Sequence, residues 1–201
     1  MARSLRAQVS PELQRITGLH FTVQTLETLG SLTKVSADLS VTHTSILNGL
    51  AGLDALLSVG GNLAIGRNEQ LTTLQGLGAL RSVGGDVLIY ENSKLRSLDG
   101  LEALLTVGMS LVINSNPVLT AVTGFPSLMS VARDLLIKFN QELVSVSPSA
   151  LSQITKVGRT LDVLFSDGFA IRELKALQAS SQEKVCRSRE GLVKLRSDPV
   201  A

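Results

Sequence analysis

The segment from Val59 to Leu104 contains one pattern written almost twice. Val59, Leu63, Ile65, Asn68, Leu71, Leu74, Leu77 and Leu80 return 24 residues later as Val83, Val87, Ile89, Asn92, Leu95, Leu98, Leu101 and Leu104. A fixed period of this length marks a stacked array, in which each repeat buries its apolar side against the next. The register reaches back through Leu26, Leu29, Leu32, Val35, Leu39 and Val41, and forward to a copy at Val131, Leu135, Ile137, Asn140, Leu143 and Val146. Two extra residues then enter near Ser147–Ser149, and the pattern resumes at Leu151, Ile154, Val157, Leu161 and Val163. The expectation is a mainly β, leucine-rich parallel solenoid of about six 24-residue rungs.

Spacing inside the rung argues against helix. Apolar residues recur every third position from Leu71 to Val83 and then tighten to the alternation Val87, Ile89. A strict spacing of three drifts off a 3.6-residue face, and Gly76, Gly78, Gly100 and Gly124 interrupt it, each costing about 1 kcal/mol inside a helix. The x-L-x-I part reads as a strand with alternate residues facing in. The glycine columns Gly52, Gly76, Gly100, Gly124 and Gly60, Gly84, Gly108, Gly158 read as corners needing positive φ or close backbone approach.

Outside the array, residues 1–18 read as an N-terminal cap, with a short helix opening at Ser10–Pro11 and running to Ile16. Leu19, Phe21 and Val23 alternate as a first strand, so the solenoid is placed at residues 19–171. Residues 172–201 are charged and helix-compatible at Glu173 to Gln178 and Gln182 to Leu195, and read as a C-terminal helical cap or linker.

With 44% hydrophobic but only 3% aromatic residues, the core must be stacked aliphatics. A net charge of +2, with its basic residues dispersed, gives no reason to expect nucleic acid. Cys186 is the single cysteine, so no internal disulfide forms. No signal-like N-terminal run, no apolar stretch of membrane-spanning length and no glycosylation sequon occur. The expectation is no membrane insertion by this chain, which is either intracellular or part of a longer protein.

No nucleophile elbow, P-loop or zinc-helix motif is present, and His20 and His43 belong to no ligand cluster. The chain reads as a non-enzyme with no cofactor and no metal. Asn68, Asn92, Asn116 and Asn140 share one position, which reads as a structural ladder of inward-turned amides bonding backbone groups at a corner. The column Asp38, Asn62, Asp86, Ser110, Asp134 supplies short acceptors for turn N–H groups. Its acidic members alternate, about 9–10 Å apart at the usual strand spacing, too far for one calcium ion.

Residues between the inward positions face out. Leu88, Val112 and Leu136 form an apolar strip, with Tyr90, Asn114 and Lys138 in the next outward column and Arg67, Glu91 and Phe139 beside it. A contiguous apolar strip with an aromatic edge is a candidate partner-binding or self-association face.

The phrase L-x-x-L-x-x-V-G-G-D-V-L-I-Y-E-N-x-x-L-x-x-L-x-G-L, beginning at Leu77, resembles the receptor L domain, the leucine-rich right-handed β-helix of insulin- and EGF-receptor type ectodomains. The likeness covers roughly Leu26 to Val163. The L-x-I-x-x-N-x-x-L core is also similar to a leucine-rich repeat. The resemblance implies a non-catalytic module of a cell-surface protein that engages a protein or glycan through an open sheet. A structural spacer and an intracellular leucine-rich scaffold are the competing readings. A β-helical carbohydrate-active enzyme would require clustered carboxylates and period-breaking loops.

Overall fold

A computed structural model describes Glu12–Leu13, residues 25–146 and 153–164, and the strands Glu183–Ser188 and Gly191–Leu195. The described chain is mainly β, a parallel-strand solenoid of about five turns with almost no helix. Each repeat uses its x-L-x-I segment as a strand. Leu39–Thr42, Leu63–Gly66, Val87–Tyr90, Leu111–Asn114, Leu135–Lys138 and Thr160–Leu164 lie side by side in parallel. The register repeats the sequence period: Leu63 pairs Val87, which pairs Leu111. Past the insertion the step lengthens, so that Leu135 pairs Leu161.

A second sheet stacks the two-residue strands Lys34–Val35, Ser58–Val59, Ser82–Val83, Thr106–Val107, Ser130–Val131 and Lys156–Val157. Ala121–Val122 and Ser145–Val146 form a third, two-stranded sheet. The sheets wrap an aliphatic core in which Leu63, Ile65, Leu71, Leu74, Leu77, Leu80 and Val83 are buried. Among the described residues Phe125, in the column of Leu53, Leu77 and Leu101, is the aromatic side chain buried in this core.

Successive tight turns explain the three-residue leucine spacing. Leu77 N–H donates to Leu74 O at 3.2 Å and Leu80 N–H to Leu77 O at 2.9 Å. Leu53 and Leu56 repeat this at 3.1 and 2.9 Å. A bond from residue i to i+3 returns every third side chain to the same side. The leucines point inward because the turn period equals their spacing.

The two glycine columns do different work. Gly76 has φ +113, and a Cβ there would also meet the carbonyl of Leu50 in the preceding rung. Gly84 does not have a left-handed φ; a Cβ there would strike the carbonyl of Gly60. At Gly52, Gly76 and Gly100 the first column therefore needs both conformation and space, while Gly124 and the second column need only space. Ala132 stands in the second column, so that requirement yields locally.

Both expected helical caps are corrected where they fall on described residues. Glu12–Leu13 is a strand, paired in parallel with Lys34–Val35. Glu183–Ser188 pairs in parallel with Thr160–Leu164, and Gly191–Leu195 pairs antiparallel with it in turn. A solenoid ends on a row of open N–H and C=O groups, which a strand satisfies and a helix does not. The helix-like charge pattern near residue 183 yields to that demand. The remainder of both segments, the expected strand at Leu19–Val23 and the insertion at Ser147–Ser149 lie outside the described residues.

Candidate interaction face

The residues that differ from rung to rung are those that the fold turns outward. Leu88, Val112 and Leu136 lie in direct register, Leu88 beside Val112 and Val112 beside Leu136. All three are half-buried, alternating with buried inward neighbours along each strand. Strands in a sheet lie about 4.8 Å apart, so each apolar side chain is shielded by the copies above and below. The strip begins beyond Ser40 and Ala64 and ends at Asp162, which pairs with Leu136 in register.

Its charged terminus is well anchored. Lys138 Nζ lies 2.7 Å from Asp162 Oδ2, and Asp162 is only 5% exposed. An ion pair shielded to this degree holds its geometry better than an open one.

Tyr90 and Arg67 build the other flank. Tyr90 adjoins Gly66, where any Cβ would run into the phenol ring. Glycine in that strand position therefore makes room for the aromatic from the next rung. Arg67 Cζ sits 6.0 Å from the Tyr90 ring centroid, within cation–π range. Arg67 Nε donates to Glu91 Oε2 at 2.9 Å, and Arg67 Nη1 lies 3.3 Å from His43 Nε2. The hydrogen bond and charge of Glu91 raise the Arg67 pKa above its ordinary value, so the guanidinium stays charged. At the opposite corner Phe139 is 65% exposed.

The backbone of this edge is not legible in the sequence. His43, Arg67, Glu91, Ser115 and Phe139 all have positive φ, between 53 and 59°. Each turns the strand through a left-handed corner that ordinarily favours glycine or asparagine. No residue-type signal announces it, because the five side chains share nothing chemically. The common element stands one residue beyond each corner: Thr44, Asn68, Asn92, Asn116 and Asn140 are all buried.

These asparagines are tied from rung to rung. Asn92 Nδ2 donates to Ile65 O at 3.0 Å and to Asn116 Oδ1 at 3.2 Å, while its Oδ1 accepts from Asn68 N at 3.2 Å and Asn68 Nδ2 at 3.1 Å. Asn68 and Asn116 make the corresponding bonds, to Val41 O at 2.9 Å and Ile89 O at 3.1 Å. Thr44 closes the column by donating to Asn68 Oδ1 at 2.8 Å. The acidic column uses a simpler device. Asn62 N–H donates to Asp38 Oδ1 at 2.7 Å, Asp86 N–H to Asn62 Oδ1 at 2.8 Å and Ser110 N–H to Asp86 Oδ1 at 2.7 Å.

Two other surfaces compete with the sheet face. Leu57 and Met129 are exposed on the second sheet's side, but Arg81 stands between them in the same column. A shallow groove of about 550 Å³ runs past Asp54, Gly78, Asp99 and Glu102. Its carboxylates cap turns: Gly52 N–H donates to Asp54 Oδ2 at 2.7 Å, and Gly100 N–H to Glu102 Oε1 at 2.9 Å. Among the described residues no three His, Cys, Asp or Glu side chains group closely enough to hold a metal ion. Set against known proteins, the chain matches no family model, no curated protein and no solved structure.

Proposed function

We propose that this chain is a non-enzymatic recognition module, a right-handed solenoid of six rungs like a receptor L domain, that engages a protein partner through its long parallel sheet. The observation that carries this reading is the in-register strip Leu88, Val112, Leu136 on the outer sheet face, half-buried and flanked by Tyr90 and exposed Phe139. Burial of such a strip on binding supplies the apolar energy, about 25 cal/mol per Å² removed from water. Tyr90, Asn114, Arg67 and Glu91 would give it polar selectivity at the rim. The fixed stack of rungs presents these side chains on a rigid surface, so binding orders few of them.

The double substitution Leu88→Glu with Val112→Glu tests the reading. It places two charges in the strip and leaves every inward residue in place. Partner capture by the intact chain, lost in the variant with an unchanged circular dichroism spectrum, supports the sheet face. Undiminished capture by the folded variant removes it. Absence of any bound partner for the intact chain favours the spacer reading.

A further inference from the structure

We infer that Asn48 is a spontaneous modification site, at which the side-chain amide is lost and the backbone of the first described rung is rewritten as aspartate or isoaspartate. Among the asparagines of the chain, Asn48 alone is followed by glycine. Its side chain is exposed and makes no hydrogen bond among the described residues. The Gly49 N–H has no partner there either. Among the described residues the nucleophile and the electrophile thus both lack partners, and glycine adds no side chain to obstruct ring closure.

The chemistry needs only water. The deprotonated Gly49 nitrogen attacks Asn48 Cγ, a C–N bond forms, and the side-chain nitrogen leaves as ammonia. Water then opens the cyclic imide at either carbonyl. One opening gives aspartate; the other routes the backbone through the former side chain and lengthens it by one carbon.

The fold restrains its other asparagines; at half-buried Asn114 the following Ser115 N–H is held by Lys138 O at 3.2 Å. Asn68, Asn92, Asn116 and Asn140 are buried, and their amides are committed to the ladder. Asn62 is followed by Leu63, and its Oδ1 accepts from Asp86 N–H. The related dipeptide Asp99–Gly100 is also restrained, because Glu102 holds the Gly100 N–H at 2.9 Å. At Asn48 the consequence is local loosening. Asn48 O accepts from Thr72 N at 3.1 Å and from Thr72 Oγ1 at 3.0 Å, and Leu50 N–H donates to Gln75 O at 2.8 Å. An added backbone carbon between those anchors breaks their common register.

The experiment incubates the folded chain at mildly alkaline pH and maps tryptic peptides by mass spectrometry. Peptide 35–67 contains both Asn48 and Asn62, so the second serves as an internal control. The expected product carries aspartate and isoaspartate at residue 48 and none at residue 62, with a lowered unfolding temperature. The variant Gly49→Ala is expected to lose the product over the same incubation. A Cβ at residue 49 meets only Thr73 Cγ2 at 3.7 Å and Gln75 O at 3.9 Å, so this variant keeps the fold. Asn48 surviving as intact as Asn62 would overturn the inference, as would equal conversion in Gly49→Ala.

Discussion

Two adjacent columns of this solenoid obey opposite rules. Asn68, Asn92, Asn116 and Asn140 repeat one residue type, while Arg67, Glu91, Ser115 and Phe139, each one position earlier, have nothing in common. Yet the second column has the more unusual backbone, with positive φ at every one of these residues. Identity is constrained where a buried polar group must be satisfied. An unusual conformation alone constrains it weakly. A left-handed corner costs about 1–2 kcal/mol for a residue with a Cβ, whereas a buried unpaired donor or acceptor costs about 1–3 kcal/mol for each group left open. Removing one ladder amide opens several such groups at once.

Asparagine suits the buried column because its amide is both donor and acceptor. Each Nδ2 donates to a carbonyl three residues and one rung away, and each Oδ1 accepts from the preceding rung. The outer acidic column offers only acceptors to backbone N–H groups, so aspartate, asparagine and serine all appear there.

The comparison can be broken most forcefully at Asn92. Asn92→Ala removes the amide donor to Ile65 O and Asn116 Oδ1 and the acceptor of the two Asn68 N–H groups, and should destabilise by about 3–6 kcal/mol in a denaturant titration. A loss below ~1 kcal/mol would mean that water enters and replaces the amide. Leu95→Ala, in the core just after the same corner, should cost about 2–5 kcal/mol. A much smaller cost would show that the leucine stack relaxes around the cavity. Ser115→Asn acts on the other column, and should stabilise by a few tenths to about 1 kcal/mol by easing the left-handed corner. A destabilised Ser115→Asn would mean that this column is selected by contacts and not left open. Arg67→Ala should change least. Arg67 and Glu91 are 52% and 49% exposed, and such pairs seldom contribute measurably to stability. An unchanged melting temperature together with altered partner binding would place Arg67 in recognition.

Much of the fold was legible because the repeat reports the inside directly. Val59, Leu63, Ile65, Leu71, Leu74, Leu77 and Leu80 could be read as one cross-section, and all are buried. The outward register of Leu88, Val112 and Leu136 came from strand alternation. Less was legible at the flanks. Periodicity places Gly66 beside Tyr90, but not the ring lying over the glycine, nor the ion pair of Lys138 with Asp162, which depend on side-chain reach. The terminal segments misled for a related reason. Charged, helix-compatible residues around Lys184 and Lys194 carry no repeat, and their strands are imposed by the open edge at Thr160–Leu164.

By itself the sequence determined the period, the aliphatic core and the inward asparagines, because burial selects residue type at every rung. Only the tertiary structure decided the left-handed corners, the division of labour between the glycine columns and the strand character of the ends. These depend on where backbone groups of neighbouring rungs meet, and many different side chains are compatible with that geometry.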